Sequence, residues 1–260
     1  MIPIRDSIPS RTYPFVTVAL IVVNAVVFLY ELSLGTQLEE FIRTFAVVPM
    51  RYSAAVQAGQ TTAIFIYPQL WVPLLTSMFM HGGWLHLIGN MLYLWVFGDN
   101  VEDRMGHFRY LLFYLLCGLA ATAAHILTNS DSPIPSLGAS GAIAGVLGAY
   151  LILYPRARVL VLLPVFIFLQ FFEVPALLFL LFWFLQQFVA GALSLGVESA
   201  QSSGVAWWAH IGGFVAGVLM VFIFKKPNHR HADRDVIWDR WQNNRRYIYH
   251  DPYQDRNRWP

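Results

Sequence analysis

Six apolar stretches, each long enough to cross a membrane as a helix, constrain the fold of this sequence more than any other feature. A helix that spans the hydrocarbon core of a bilayer needs about 20 consecutive, mostly apolar residues. Only 12% of the residues are charged, whereas about 25% is usual in soluble domains. The pattern predicts an all-α membrane protein with six transmembrane helices. The six windows are residues 14–34, 82–98, 108–127, 137–154, 174–193 and 205–224.

The distribution of lysine and arginine predicts how these helices are oriented. Loops on the cytoplasmic side of a membrane carry an excess of both residues. Here they cluster before the first window, after the second, after the fourth and after the sixth. The first three clusters are Arg5 and Arg11, Arg104 and Arg109, and Arg156 and Arg158. Both termini are therefore expected in the cytoplasm, and the first window, which lacks a signal-peptide cleavage site, is expected to remain as an anchor.

Composition divides the chain into three segments. We expect a cytoplasmic N-terminus at 1–13, a six-helix membrane domain at 14–224 and a basic cytoplasmic tail at 225–260. The tail holds nine of the 17 lysines and arginines. Such a tail could bind nucleic acid, but beside a membrane span it more simply marks the cytoplasmic side. No nucleic-acid partner is therefore expected.

Two apolar segments lie outside the six windows. Residues 35–80 form a long first external connection that is too apolar for a disordered loop. We expect this connection to be associated with the outer leaflet of the membrane. Residues 159–172 are too short to span and are interrupted by Pro164, which indicates an interfacial or partly buried segment.

Four polar side chains lie inside the predicted spans, where such groups are costly and usually functional. His86 and Asn90 follow the outer start of the second window, Ser140 lies near the start of the fourth, and His210 lies early in the sixth. With the expected orientation, all four lie in the outer half of the bilayer. Water can then reach them from one side of the membrane.

Two stripes of glycine predict how Ser140 and His210 meet. The stripes are Gly141, Gly145 and Gly148 in the fourth window and Gly213 and Gly217 in the sixth. Small residues let membrane helices approach closely, and the second stripe shares a helical face with His210. If the two stripes face each other, the His210 imidazole reaches the Ser140 hydroxyl.

A serine beside an imidazole is the minimum for covalent acyl transfer, because the imidazole takes the hydroxyl proton. The fourth and sixth windows contain no Asp or Glu, so the residues indicate a Ser-His dyad. Backbone N–H groups around Ser140, at a helix N-terminus, would stabilise an oxyanion together with the side chains of Asn90 and His86.

Simpler interpretations exist for these residues. A serine after Gly-Ala at a helix start often only caps the helix, as Ser140 could. A metal or haem site within a bundle could use His81, His86 and His210 with Asn90. His81 and His86 are five residues apart, however, and no carboxylate accompanies them.

Three other polar residues of the spans have no evident chemical role. His125, late in the third window, has no partner that the sequence reveals and is expected to be structural or interfacial. Gln186 and Gln187 in the fifth window could bond neighbouring backbone or meet a substrate, and helix packing is the expected role.

Three short sequences, taken together, resemble the rhomboid intramembrane serine proteases. They are HGGWLHLIGN in the second window, GASG at the start of the fourth and AHIGGFVAG in the sixth. Each alone is weak, because small-residue helices are common in membranes. Their order, spans and common depth make the resemblance specific. It covers the six spans, about residues 15–224, and excludes the tail.

The resemblance implies a role for each matching residue. Ser140 matches the family's nucleophile and His210 its general base. Asn90 and His86 match the side chains at the oxyanion hole, and His81 matches a histidine near the active-site water.

Further residues match supporting positions of the family. Gly213 and Gly217 match the glycines that let the last span pack on the serine helix, while Gly138 and Gly141 beside the serine leave room for approach. Glu102 resembles a buried acid that orders a cytoplasmic loop. Family substrates are single-span membrane proteins cleaved near the outer face, after small residues in helix-breaking segments, without a metal or another cofactor.

Two positions depart from the family pattern. The family often has Trp-Arg in the first external loop, but here Trp71 is followed by Val72. Some members stack an aromatic ring on the catalytic histidine from the position that is Ala144 here. The imidazole must then be oriented by other neighbours. Neither departure removes a catalytic group, so we expect an active enzyme.

We therefore expect an intramembrane serine endopeptidase, a multi-pass protein of a bacterial inner membrane whose partners are the lipid bilayer and single-span substrates. One alternative is a non-catalytic membrane-protein binder of the same fold, for which client turnover would not depend on Ser140. A metal or haem bundle is the other, which elemental analysis and absorption spectra would detect. The residues indicate no particular oligomeric state.

Overall fold

Each of the six apolar windows contains a helix in the computed structural model, which describes residues 1–165, 168–194 and 206–226. In chain order the helices are α1 (Phe15–Ser33), α2 (Leu38–Phe45), α3 (Pro49–Gln57), α4 (Ala63–Ile66), α5 (Pro68–Thr76), α6 (Trp84–Met105), α7 (His107–Thr128), α8 (Ser140–Leu153), α9 (Ala176–Ser194) and α10 (Trp207–Phe224). The strands are β1 (Ile2–Asp6), β2 (Arg158–Val165) and β3 (Phe168–Pro175). The external loop at 196–204 and tail residues 227–260 lie outside the described residues.

Four helices within the described ranges are long and apolar enough to cross a membrane: α1, α7, α9 and α10. Their outer faces and that of α6 expose large apolar side chains, as Leu85 on α6 and Ile223 on α10 illustrate. An apolar exterior of this extent fits contact with lipid. The protein is therefore a mostly helical, multi-pass membrane protein. The number of six transmembrane helices stays a prediction, because α6 and α8 are not among the four.

Helix α8 lies at the centre of the bundle. It packs against α6, α7, α9 and α10, and every residue from Gly141 to Tyr150 is buried. Its 14 residues give a length of about 21 Å, which is less than the hydrocarbon core of about 30 Å. Because protein and not lipid surrounds α8, this helix can begin and end inside the bundle.

Glycine permits the contact between α8 and α10. A Cβ on Gly213 would collide with the carbonyl oxygen of Gly141, and a Cβ on Gly217 would lie 2.6 Å from the Cα of Gly145. A Cβ on Gly148 would collide with the carbonyl oxygen of Phe214. The two glycine stripes therefore face each other, as their spacing predicts, and the helix backbones are in direct contact.

The start of α1 is bound to the end of α6 by one buried carboxylate. Glu102 is fully buried and accepts hydrogen bonds from the backbone N–H groups of Val16 at 2.9 Å and Thr17 at 2.8 Å. The Thr17 hydroxyl donates at 2.7 Å, and His107 Nδ1 lies 2.6 Å from the other carboxylate oxygen. Glu102 thus satisfies N–H groups that a helix N-terminus leaves free, which agrees with the buried acid implied by the resemblance.

Residues 158–165 and 168–175 form the two strands of a β-hairpin, so the expected all-α fold is wrong here. Strand β2 pairs antiparallel with β3 on one side and with β1 on the other, in the order β1-β2-β3. The segment is rich in Val and Phe, which favour strands, and Pro164 cannot lie inside a helix without disrupting it. Strand β3 is exposed along most of its length, which makes the hairpin partly buried, as residues 159–172 were expected to be.

The sheet is bound to the bundle through Asp6 at the end of β1. Its carboxylate accepts hydrogen bonds from the Tyr150 hydroxyl and, at 2.9 Å, from Asn100 Nδ2. Burial raises the pKa of Asp6 from 3.8 to about 7; the Tyr150 hydrogen bond opposes this rise, and the nearby Asp99 adds to it. The N-terminal strand thereby contacts both α6 and α8.

The first external connection folds into short helices, α2 to α5, and is not an extended loop. Proline at the first helical positions starts α3 and α5, where its missing N–H costs nothing. Phe65 and Ile66 of α4 and Trp71 of α5 are exposed. Tyr52 links α3 to α5, because its hydroxyl donates a hydrogen bond to the Leu70 carbonyl oxygen at 2.8 Å.

Candidate serine–histidine site

Ser140 is the first residue of α8, after a loop whose conformation depends on glycine. Gly138 has a φ of +132°, a value that residues with a side chain rarely adopt, and a Cβ there would lie 2.9 Å from His86 Nε2. The Gly138 N–H donates to the Ser77 carbonyl oxygen at 2.8 Å. The loop therefore passes directly over the His86 ring before the chain reaches Ser140.

His210 lies in the first turn of α10, opposite Ser140. Its Nε2 is 2.7 Å from the Ser140 Oγ, which is a hydrogen-bond distance. The contact between Gly213 and Gly141 explains this approach, because Gly141 directly follows Ser140 and Gly213 lies one turn after His210. The structure thus brings together the hydroxyl and the imidazole that the sequence singled out.

The other ring nitrogen of His210 contacts a residue that sequence reasoning assigned to packing. His210 Nδ1 lies 2.8 Å from the Oε1 of Gln187 on α9, and the Gln187 side chain is buried. Trp183 of α9 and Trp207 of α10 flank the imidazole, with ring centroids 5.9 Å and 6.3 Å away. These neighbours surround the imidazole, whereas Ala144 supplies no aromatic ring.

His86 is held in a defined orientation beside the loop that precedes Ser140. The Gly82 N–H donates to His86 Nδ1 over 3.4 Å. A neutral imidazole that accepts at Nδ1 carries its proton on Nε2. That nitrogen faces Gly138, and a Cβ on Gly138 would also lie 3.7 Å from Ser140 Oγ. His86 can therefore donate a hydrogen bond into the space next to the serine.

Asn90 and His81 are two further buried polar residues near His86. Asn90 is one turn further along α6 and is buried, and its Nδ2 has no hydrogen-bond partner among the described residues. The His81 ring lies edge-on to that of His86, with centroids 5.1 Å apart. The buried Glu31 of α1 accepts the His81 backbone N–H at 3.2 Å. Sequence reasoning missed Glu31, although a glutamate inside an apolar span was the available signal.

A cavity of about 220 Å³ opens beside His86. His125 and Asn129 form part of its wall, and Asn129 Nδ2 lies 3.2 Å from His125 Nδ1. His125 thus has a partner that sequence reasoning missed, although the spacing of four residues at the end of α7 was the available signal. Trp207 and Trp208 line the cavity from α10.

No three or more His, Cys, Asp or Glu side chains in residues 1–165, 168–194 and 206–226 are grouped so that they could hold a metal ion. The site geometry in these ranges is instead a hydroxyl bonded to an imidazole, with hydrogen-bond donors nearby. Such an arrangement can activate a serine and stabilise a negative oxygen.

The fold and the site define a class: a multi-pass helical membrane protein with a serine and a histidine hydrogen-bonded between closely packed helices. A model of the rhomboid domain matches residues 68–227, which is more than half of the chain. The chain therefore belongs to the rhomboid family.

Curated relatives come from several sources. Over 143 residues the chain is 34% identical to the rhomboid protease GluP of Bacillus subtilis, which covers 55% of this chain and 24% of GluP. It is 28% identical over 171 residues to the chloroplastic rhomboid-like protein 11 of Arabidopsis thaliana. This match covers 64% of this chain and 57% of the relative. It is 29% identical over 167 residues to the mitochondrial rhomboid protein 1 of Saccharomyces cerevisiae. This match covers 63% of this chain and 44% of the relative. The chain thus spans from about a quarter to just over half the length of these relatives.

Proposed function

We propose that this protein is an intramembrane serine endopeptidase that cleaves peptide bonds in the membrane segments of other proteins. The observation that carries the proposal is the 2.7 Å contact between His210 Nε2 and Ser140 Oγ. A serine hydroxyl is a weak nucleophile until an adjacent base accepts its proton. Membership of a family that includes a named protease supports the same conclusion.

The proposed reaction begins when Ser140 Oγ attacks the carbonyl carbon of the substrate and its proton passes to His210 Nε2. The carbonyl oxygen becomes negatively charged and needs hydrogen-bond donors. His86 Nε2–H and the amide of Asn90 are the side-chain donors that we assign to it, together with backbone N–H groups at the start of α8. His210 then gives the proton to the leaving amine, and water releases the acyl group from Ser140 by the same route.

The orphaned amide of Asn90 supports this assignment. A buried donor without a partner costs free energy, and Asn90 Nδ2 has none among the described residues. A substrate oxyanion would satisfy that group only during the reaction. Donors that become satisfied in the transition state lower its energy relative to the ground state.

We infer a membrane arrangement of six spans, α1, α6, α7, α8, α9 and α10, with both termini in the cytoplasm. Segments 1–13, 14–224 and 225–260 are then the N-terminus, the membrane domain and the basic tail. The charge distribution supports this orientation. Because α8 is about 9 Å shorter than the hydrocarbon core, Ser140 would lie below the outer surface, reached by water through the cavity beside His86.

We propose single-span membrane proteins as the substrates and the inner membrane of a bacterium as the location. The apolar exterior of the bundle supports approach of a substrate through the lipid. The exposed apolar side chains of α4 and α5 support association of the first external connection with the outer leaflet.

The test is cleavage by the purified full-length chain in proteoliposomes. The substrate is a fluorescent single-span peptide with a small residue before a helix-breaking segment near its outer end. Ser140→Ala and His210→Ala are each expected to abolish cleavage. Ser33→Ala, an exposed serine whose hydroxyl only bonds to the Tyr30 carbonyl oxygen, is the matched control and should cleave as the wild type does.

A serine-directed fluorophosphonate gives a second measurement that needs no substrate. The wild type should be labelled and Ser140→Ala should not. Cleavage that persists in Ser140→Ala would refute the mechanism. A wild type that is neither labelled nor active, but still binds the peptide, would favour the non-catalytic binder.

A further inference from the structure

Gln187 is a buried polar residue in an apolar helix, which needs an explanation. Its side chain is 6% exposed, whereas the adjacent Gln186 is exposed on the outer face of α9. A polar side chain inside a membrane protein is costly unless it makes hydrogen bonds. Packing alone would be served better by an apolar residue of the same size.

The partner of Gln187 is the ring nitrogen of His210 that faces away from the serine. The Gln187 Oε1 is 2.8 Å from His210 Nδ1, and the Ser140 Oγ is 2.7 Å from His210 Nε2. A neutral imidazole has one N–H and one acceptor nitrogen. If Nε2 is to accept the serine proton, Nδ1 must carry the N–H, and an oxygen must receive it. The Gln187 carbonyl oxygen is in that place.

We propose that Gln187 is a positioning residue that holds His210 in the tautomer with the proton on Nδ1. This inference rests on the proposed protease function. During attack, the Ser140 proton moves to Nε2 while Nδ1 keeps its own, so His210 becomes an imidazolium. The hydrogen bond to Gln187 then has a charged donor and strengthens. When the leaving amine takes the Nε2 proton, His210 returns to the same tautomer.

An amide suits this position in a membrane better than a carboxylate. An aspartate or glutamate would stabilise the imidazolium more strongly, but its charge would have to be buried in the resting enzyme at a large desolvation cost. An amide oxygen fixes the same tautomer without a permanent charge. Soluble enzymes use a histidine with an asparagine in this way.

Gln187 also explains how the His210 imidazole can be oriented without an aromatic ring at position 144. Trp183 lies at an interplanar angle of 35° to the imidazole and Trp207 at 88°. These rings limit the space around His210, but neither selects which ring nitrogen is protonated. Among the described residues, the hydrogen bond from Nδ1 to Gln187 is the polar contact that makes that selection.

The activity test uses a variant that removes the acceptor and keeps the length of the side chain. Gln187→Met is expected to lower kcat about 10- to 100-fold with little change in KM, the loss expected for a hydrogen bond to a charged group. Gln187→Glu, which keeps an acceptor oxygen but has to bury a charge, is expected to have a kcat between those of Gln187→Met and the wild type. Gln186→Met, the same substitution at the neighbouring exposed position, should leave kcat unchanged.

A second readout is independent of cleavage. In protein labelled with ¹⁵N-histidine, the His210 signals, assigned by loss in His210→Ala, should show protonated Nδ1 and unprotonated Nε2 in the wild type. Gln187→Met should convert His210 to a mixture of tautomers or to the form protonated on Nε2. A merely structural role for Gln187 would not change the tautomer of a folded variant.

The outcomes separate this inference from the proposed function. If the wild type cleaves, Ser140→Ala does not, and Gln187→Met matches Gln186→Met in kcat and in the His210 spectrum, Gln187 has no positioning role and the protease proposal stands. A wild-type His210 protonated on Nε2 also overturns the inference. If the wild type does not cleave, the protease proposal fails, and the role assigned to Gln187 in catalysis fails with it whatever the tautomer.

Discussion

Replacing Gly217 by alanine tests whether backbone contact between α8 and α10 sets the distance between Ser140 and His210. A Cβ on Gly217 would lie 2.6 Å from the Cα of Gly145, whereas carbon atoms in contact are about 3.5–4.0 Å apart. Both groups belong to helix backbones and cannot rotate away. Relief therefore requires α10 to move from α8 by about 1 Å.

This displacement is large compared with the tolerance of the site. The His210 Nε2 to Ser140 Oγ distance of 2.7 Å would increase beyond about 3.2 Å, the usual upper limit for such a hydrogen bond. A misplacement of about 1 Å can lower a rate about 100-fold, and we expect a fall in kcat of this size in Gly217→Ala. The bundle should still fold, because overpacking of this kind typically costs about 1–3 kcal/mol.

The assay is the cleavage rate of the single-span peptide in proteoliposomes, with the melting temperature of each variant measured in parallel. Gly89→Ala is the matched control, because a Cβ on Gly89 of α6 would meet nothing within 4 Å. The control should keep both the wild-type kcat and its melting temperature. A folded Gly217→Ala protein with the wild-type kcat would refute the reasoning that helix contact sets the geometry of the site.

Two further predictions concern the end of the bundle that contacts β1 and the start of α1. Burial raises the pKa of Asp6 from 3.8 to about 7, so the folded state binds this proton more tightly than the unfolded state. The stability that this proton contributes is therefore complete below about pH 4 and is lost as the pH rises through about 7. Asp6→Asn should therefore reduce the fall in melting temperature between about pH 5 and pH 8, and an equal fall in both proteins would contradict the assignment. Glu102→Gln should lower the free energy of unfolding by about 1–3 kcal/mol, because an NH₂ group would face a buried N–H of α1; unfolding by titration with SDS measures this loss, and an unchanged midpoint would show that these hydrogen bonds contribute little.

Apart from the end of α6, which extends to Met105 and not to residue 98, the positions of the long apolar helices could be predicted from the sequence to within a few residues. Window 108–127 became α7 (His107–Thr128), and window 174–193 became α9 (Ala176–Ser194). Lipid explains this success, because a spanning helix must be apolar over a fixed length whatever its neighbours are. The contact of Ser140 with His210 could also be predicted, since glycine stripes mark where helices approach.

The hairpin at 158–175 could not be predicted with the same rules. Its residues are apolar like those of a span, and its sheet is completed by β1, more than 150 positions away in the chain. A strand depends on a partner for its hydrogen bonds, and the sequence of one strand does not name that partner.

The sequence by itself determined which segments are long apolar helices and which serine and histidine are candidates for the site, because both follow from local composition and from the spacing of residues along one helix. Only the tertiary structure decided that Gln187, and not the adjacent Gln186, reaches His210. One residue along a helix changes the direction of a side chain by about 100°. Whether that direction meets a histidine or lipid depends on how α9 packs against α10, which no single segment specifies.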